Sequence, residues 1–345
     1  MIRTAVIGAT GYAGAELVRL LAGHPDVTIT DITSRQYADV PFEKVYPATR
    51  GSVGLVCEKL SVDAICRNAD IVFTALPHKL PMSIVPEILE YGKKVIDLSA
   101  DFRFSDVDTY ELYYQHHTAG ELCRKSVYGL SEVYTDSIKT AELVGNPGCY
   151  PTSILLPLVP LVKAGLVHTS SIIADSKSGV SGAGRSPSLG THICEVGESF
   201  KAYKVAEHRH APEIEEILCR EAGVPVSLTF VPHLVPMNRG MLSTVYADVA
   251  EGVSEEDIIE CIAAYYNGRR FIRLCEPGRF PETRHVRGSN FCDIGVKLDK
   301  RAGKAILVSV VDNLVKGAAG QAVQNMNIMF GIDEATGLDM IPFPV

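Results

Sequence analysis

IRTAVIGATGYAGAELVRLLAGHP, residues 2–25, decides the fold. IRTAVI is an apolar run of strand length. Gly8, Gly11 and Gly14 follow as G-x-x-G-x-x-G, and AELVRLLAGHP has the apolar spacing of a helix ending at Gly23 and Pro25. VTITDIT, residues 27–33, reads as the next strand. Strand, glycine turn, helix and strand make a βαβ unit, and the glycines let N–H groups at a helix N-terminus approach a pyrophosphate. In isolation the glycine pattern fits any βα turn. Between a strand and a helix it predicts a dinucleotide site.

Outward from this unit, DIVFTALP (70–77) and KKVIDLS (93–99) are strands leading into polar loops or helix starts, so residues 1–147 are expected to form a Rossmann-type doubly wound nucleotide domain. After about residue 147 the texture changes. A helical TSILLPLVPLVKAG, in which Pro157 and Pro160 predict a kinked or shortened helix, is followed by the strand SIIADSKSG and a Gly/Ser-rich loop, GVSGAGRSPSLG. VSLTFVPHLV, GMLSTVYADV, FCDIGVKLD and KAILVSVVDN alternate as strands of a mixed or antiparallel sheet with one face covered, and EEDIIECIAAYYN is an amphipathic helix between two of them. Residues 148–312 are expected as an α/β catalytic and dimerisation domain. A final helix, VKGAAGQAVQNMNIMFG, would return to the first domain, so that 313–345 completes it.

Composition narrows the function. The 345 residues exceed one domain's usual size, and 33 basic against 41 acidic side chains give a net charge of −8, without the basic footprint of a nucleic-acid binder. No export signal opens the chain, and its longest uncharged stretch, Leu143–Val162, contains four prolines and two glycines, so no membrane span is expected. Nine cysteines without a C-x-x-C pair predict thiols in a reducing cytoplasm.

One cysteine stands apart. In GNPGCYPT, residues 145–152, Cys149 precedes or begins a helix announced by Pro151 and Thr152, where the helix dipole favours a thiolate. KVAEHRHAPEI adds His208 and His210, side chains that titrate nearest neutrality and suit proton transfer. Alternating histidines also ligate zinc, but neither H-E-x-x-H nor a nearby cysteine pair is present, and no metal is expected. The joint reading is an oxidoreductase in which Cys149 attacks an acyl carbon and a dihydronicotinamide reduces the resulting thioester to an aldehyde. Amides of SGVSGAG and of the cysteine turn would stabilise the oxyanion. Asp31 lies twenty residues after Gly11, as a ribose-binding acid would. The strand continues past it, however, and Ser34 and Arg35 occupy the tip, where they would meet a 2′-phosphate. NADP(H) is therefore expected over NAD.

These motifs resemble the N-acetyl-gamma-glutamyl-phosphate reductases of arginine biosynthesis, of the longer type. The likeness runs through GATGYAGAELVRLL, FTALPH, DLSADFR, YGLSE, GNPGCYPT, SKSGVSGAGR, HRHAPEI, FVPHLVPMNRGMLSTVY and VVDNLVKGAAGQAVQNMN. It implies an architecture of the glyceraldehyde-3-phosphate and aspartate-semialdehyde dehydrogenase type, and NADPH-dependent reduction of N-acetyl-L-glutamyl 5-phosphate to the 5-semialdehyde and phosphate. By the same resemblance Cys149 is the nucleophile and His208 the acid/base, with His210 assisting. Cofactor contacts fall at Gly8, Thr10, Gly11, Tyr12, Ala13, Gly14, Ser34, Arg35, Ala75, Leu76, Pro77, Ser99, Ser178, Gly179, Gly182, Asn313 and Gly317. Substrate contacts fall at Arg103, Asn146, Ser181, Arg185 and His233. The substrate would be a small acyl phosphate and the assembly a homodimer or homotetramer.

Three other readings are weighed. An aminoadipyl-phosphate reductase of lysine biosynthesis acts on a carrier-bound substrate that calls for a positive surface, which a charge of −8 does not support. A short-chain reductase needs Tyr-x-x-x-Lys, and none of the fourteen tyrosines has lysine four residues on. A non-catalytic dinucleotide-binding regulator would show a degraded cysteine or histidine motif, and both motifs are intact.

Overall fold

β1 (Ile2–Ile7) lies between β2 (Val27–Thr33) and β3 (Ile71–Thr74), parallel to both. With β4 (Lys94–Asp97), β5 (Val127–Tyr128) and β6 (Leu143–Gly145) they form a wholly parallel sheet ordered β2-β1-β3-β4-β6-β5. β3 is buried along its length, as a strand covered on both faces must be. The chain runs from β1 to one side and returns to the other, so the strand order reverses between β1 and β3. In open α/β sheets that crevice receives the ligand. Gly8 closes β1 there with φ +88°, and a Cβ on it would come within 2.5 Å of the Ala75 carbonyl oxygen. A Cβ on Gly14 would strike the Gly8 carbonyl, which is why the Tyr12–Ala22 helix sits so close to the turn.

The structure is a computed structural model that describes residues 1–343, and it divides into two compact units. Met1–Pro147 and Ala318–Asp339 form the first, and Gly148–Gly317 with the chain from Met340 onward the second. The return to the first unit thus begins at Ala318, not at 313, and ends at Asp339. Phe343 packs in the second unit, where a Cβ on Gly288 would meet its ring at 3.0 Å. Pro344 and Val345 lie outside the described residues. A π-helical turn, Val315–Ala319, leads into the Gly320–Met329 helix, which is buried throughout. Asn325 of this helix is satisfied at both ends of its amide: Nδ2 donates to Gly129 O at 2.8 Å and Asn146 Oδ1 at 3.1 Å, and Oδ1 accepts from Ser131 Oγ at 2.7 Å.

The second unit is built on β7 (Ile172–Gly179), β8 (Lys201–Ala202), β9 (Leu228–Val235), β10 (Met241–Asp248), β11 (Ile272–Leu274), β12 (Cys292–Asp299) and β13 (Lys304–Val311). Their order is β11-β12-β13-β10-β7-β9-β8, with β7·β9 and β11·β12 parallel and the rest antiparallel. β10 alternates buried and half-buried residues, the mark of a sheet with one face packed on a core.

Against that face lies the Cys149–Lys163 helix, buried from Tyr150 to Val162. The prolines were expected to kink or shorten it, but it runs on through both. Pro157 removes the donor for the Ser153 carbonyl and Pro160 the donor for the Leu156 carbonyl. The hydroxyl of Ser309 donates to Ser153 O, and that of Tyr266 to Leu156 O at 2.7 Å. Ser309, Ser243 and Ser176 stand side by side across β13, β10 and β7. Ser153 Oγ joins this row through Ser243 Oγ at 2.7 Å. Among the described residues no helix is long and apolar enough to cross a membrane. Tyr266→Phe keeps the packing but strands a buried carbonyl, so it should lower unfolding stability by about 1–3 kcal/mol. Urea denaturation of the two proteins tests this, and equal stabilities would show that the helix does not need the bond.

Candidate active site

In the first unit β1 and β2 end together at the glycine turn. The Gly8 N–H lies 3.3 Å from Thr33 Oγ1, the Ala9 N–H donates to Thr33 O at 3.0 Å, and Thr10 Oγ1 and Ser34 Oγ are 2.7 Å apart. A cleft of about 400 Å³ opens beside them, lined by Gly8, Ser34, Arg35 and Leu76 of the expected set and also by Lys59, Leu60 and Leu80. Lys59 arrives through pairing: Glu58 bridges Thr33 in parallel, and the Ser34 N–H donates to Glu58 O at 3.0 Å. Ser34 is buried, while Arg35 and Lys59 are exposed. Thr10 and Gly11 belong to the turn, Tyr12, Ala13 and Gly14 open the helix, and Ala75 and Pro77 follow β3. Two cations, a hydroxyl, apolar walls and a crevice left open by the missing Cβ of Gly8 fit a phosphorylated nucleotide. Asp31 is buried inside β2 with the Asn68 amide 3.3 Å away, so it does not stand at the strand tip.

Other expected contacts of this unit serve the backbone. Ser99 Oγ donates to Asp97 Oδ2 at 2.6 Å and accepts from the Asp101 N–H at 3.0 Å, while burial and then Asp101 push the Asp97 carboxyl up to about 6. Arg103 is buried. Its Nε donates to Asn146 O at 2.7 Å and its Nη2 to Leu98 O at 2.8 Å, so the guanidinium expected to grip substrate ties two main-chain segments together. Asn146 likewise donates to Ala318 O at 3.0 Å.

In the second unit Cys149 is the first residue of its helix and is half-buried. The preceding Gly148 N–H donates at 2.9 Å to Oε1 of Glu213, a buried carboxylate on the His210–Ala222 helix. Segment 312–317 packs on the same cysteine: a Cβ on Gly317 would lie 2.8 Å from Cys149 Cβ. Asn313 Oδ1 accepts from the Gly240 N–H at 2.9 Å and its Nδ2 donates to Ser181 Oγ at 2.9 Å. A Cβ on Gly182 would lie 3.4 Å from Ser178 Oγ and 3.7 Å from Asn313 Nδ2, so the expected residues of the serine-glycine loop and of 313–317 are brought together. The Gly179 N–H donates to Gly240 O. Arg185 is half-buried beyond Gly184. His233 adjoins the site through its backbone, its carbonyl accepting from the Tyr150 hydroxyl at 3.2 Å, while its Nδ1 lies 3.1 Å from Asp175 Oδ1 and its ring stacks on Phe200 at 5.1 Å.

The histidine pair sits in an aromatic cage. His208 and His210 ring centres are 4.7 Å apart, and His208 lies 5.5 Å from Tyr150, 5.5 Å from Tyr203 and 5.4 Å from Phe230. His208 Nδ1 accepts the His210 N–H at 3.1 Å, and its Nε2 is 3.5 Å from the Tyr203 hydroxyl. Burial, then the charges of Lys204 and Arg209, lower its pKa to about 4, so it is neutral near pH 7. Burial holds Tyr203 up at about 12 and Tyr150 well above the usual phenol range. Glu213 and Tyr203 were not singled out from the sequence. Glu213 follows His210 by three residues, one helical turn, yet in sequence it resembles any solvated glutamate.

Two family models match the chain: the semialdehyde dehydrogenase NAD binding domain over residues 3–141 and the semialdehyde dehydrogenase dimerisation domain over 149–313. An N-acetyl-gamma-glutamyl-phosphate reductase of Desulforapulum autotrophicum is 57% identical over 342 residues, 99% of each chain. One from Geobacter metallireducens is 53% identical over the whole of both. The chain belongs to the N-acetyl-gamma-glutamyl-phosphate reductase family. Among solved structures it is similar in fold to aspartate semialdehyde dehydrogenase II of Vibrio cholerae, with TM-score 0.74 and 18% identity over 96% of this chain and 98% of that one. The Candida albicans enzyme with NADP gives TM-score 0.70 and 17% identity, again over 96% and 98%.

The depressed His208 pKa makes a stability prediction. The unfolded histidine takes up its proton near 6.5 and the folded one only near 4, so stability contributed by the neutral ring is lost as pH falls through that window. Thermal denaturation at steps from pH 7 to 4 should show the parent protein losing Tm relative to His208→Asn. A difference independent of pH would mean that His208 is not held neutral.

Proposed function

We propose that this chain reduces N-acetyl-L-glutamyl 5-phosphate to N-acetyl-L-glutamate 5-semialdehyde and phosphate with NADPH, through a thioester on Cys149. Whole-length identity to reductases of that name supports the substrate. The single structural observation that carries the mechanism is Cys149 at the first position of a buried helix, its turn fastened by Glu213. Sulfur attacks the acyl carbon, the carbon–oxygen bond to phosphate breaks, and the acyl group remains on the enzyme. When held in the glycine-turn cleft, NADPH would supply the hydride that reduces this thioester. Collapse of the resulting adduct breaks the carbon–sulfur bond and returns Cys149 as thiolate, a leaving group that the helix N-terminus stabilises.

The proton role expected of His208 goes better to His210. Both ring nitrogens of His208 already face partners, and its low pKa makes it a poor proton carrier at neutral pH. We assign His210 the thiol proton as Cys149 attacks and its delivery to the departing phosphate oxygen, with His208 fixing the backbone of His210. Amides of the 178–182 turn and of the helix start favour the oxyanion. In the nucleotide cleft Ser34, Arg35 and Lys59 would hold the 2′-phosphate that distinguishes NADPH from NADH. Two or four copies would associate in the cytoplasm through the domain that matches the dimerisation model.

In the reverse assay, semialdehyde with NADP and phosphate, Cys149→Ser should abolish NADPH formation; substantial turnover would exclude the covalent route. His210→Asn should lower kcat by roughly 10²- to 10⁴-fold, more than His208→Asn. The opposite ranking would return the acid/base role to His208. Lys59→Ala and Arg35→Ala should each raise KM for NADP roughly tenfold and leave the NAD reaction unchanged. Equal effects on both cofactors would remove them from the 2′-phosphate site.

A further inference from the structure

Residues 182–207 of the second unit join the serine-glycine turn to the histidine motif and carry Tyr203, yet Val196 is the one buried residue among them. Large apolar side chains stand in solvent along this stretch: Leu189 is 77% exposed, Ile193 75%, Phe200 59% and Val205 51%. Single exposed apolar residues are ordinary, whereas a gathered set marks an interaction surface. Three of these gather. The Lys201 ammonium donates to Gly190 O at 3.4 Å, which sets the turn of Leu189 beside Phe200, and Ile193 opens the Ile193–Val196 helix four residues after Leu189. We propose that a second copy of this chain covers this surface, and that assembly thereby holds the stretch between the two catalytic loops.

This interface rests on the self-association proposed above and adds its location and its effect on the site. Charge selects a copy of the same chain as the occupant. Arg185, Lys201 and Lys204 are matched in number by Glu195, Glu198 and Glu207, so the stretch is neutral while the whole chain carries −8. Two copies related by a twofold axis bring the same surface against itself, and a neutral one meets itself without the repulsion of an acidic face. An anionic membrane would instead call for an excess of lysine and arginine. The stretch also lies wholly inside residues 149–313, which match the dimerisation domain. What stands at its two ends shows why cover matters. Just before it, Ser181 Oγ accepts from Asn313 Nδ2 at 2.9 Å. Near its close, the Tyr203 hydroxyl donates to Tyr150 Oη at 3.2 Å and lies 3.5 Å from His208 Nε2. Movement of the residues between would displace both.

Assembly is read without turnover, so the result stands whatever acyl substrate the enzyme takes. Light scattering and sedimentation of the full chain across a dilution series compare the parent with Leu189→Asp/Ile193→Asp, both changes at positions exposed in the protomer. Self-association should weaken roughly tenfold or more in the variant. Leu189→Met/Ile193→Leu, which keeps the surface apolar, should assemble as the parent does. Trypsin should cut after Arg185, Lys201 and Lys204 faster in the dissociated variant than in the assembled parent, and kcat in the reverse assay should fall with the dissociated fraction. Ile193→Asp alone replaces the double variant if that fails to fold, with the same expected direction. A parent that assembles while the aspartate variants assemble equally well overturns the interface and leaves self-association standing. A monomeric parent overturns both. Full kcat in a dissociated variant overturns the holding role, and dissociation with loss of kcat supports it.

Discussion

A helix that carries two prolines in its interior and lies out of reach of water must find two hydrogen-bond donors elsewhere. The Cys149–Lys163 helix meets this constraint with hydroxyl groups from its surroundings, Ser309 on β13 and Tyr266 after the Glu255–Tyr265 helix. That requirement explains why a sheet face otherwise suited to valine and isoleucine carries a row of serines. It also fixes the helix against β7, β10 and β13, and with it the position of its first residue, Cys149. The prolines in turn stiffen a segment whose start must not wander.

Electrostatics at that start are balanced between opposing demands. A carboxylate close to a thiolate would suppress its ionisation, yet Glu213 is buried next to the turn. Directing Oε1 at the Gly148 N–H commits that oxygen to the backbone and joins the nucleophile helix to the histidine helix. Partial burial among Tyr150, Tyr203 and Phe230, with the charges of Lys204 and Arg209, then keeps His208 uncharged. A neutral ring that accepts the N–H of His210 behaves as a structural brace, so His208, expected as the acid/base with His210 assisting, takes the supporting place in the reading proposed above.

Legibility in the sequence followed how local each feature is. β1 and β2 coincide with IRTAVI and VTITDIT because period and turn chemistry act within a few residues. Ser34 and Arg35 at the strand tip could be placed by counting from the glycines. Lys59 could not, because a β-bridge between Thr33 and Glu58 brings it to the cleft across more than twenty intervening residues. The prolines misled for the same reason: their missing donors are replaced by residues more than a hundred positions away. Arg103 has the right chemistry for an oxyanion, but its burial against the Asn146 and Leu98 carbonyls is a tertiary fact.

The π-turn at Val315–Ala319 has a consequence for register. A π-turn amounts to one residue more than an α-helix would use, and one residue is about 100° of rotation. Every side chain of the helix that follows is therefore set by that single inserted step. In this phase Asn325 faces Gly129, Ser131 and Asn146, and Gln324 reaches Glu132 at 2.9 Å. Losing one residue from the turn would swing the amides toward apolar neighbours and bring valine and methionine to the carbonyls. The extra residue thus works as a phase key, matching the polar stripe of the helix to the polar groups that await it.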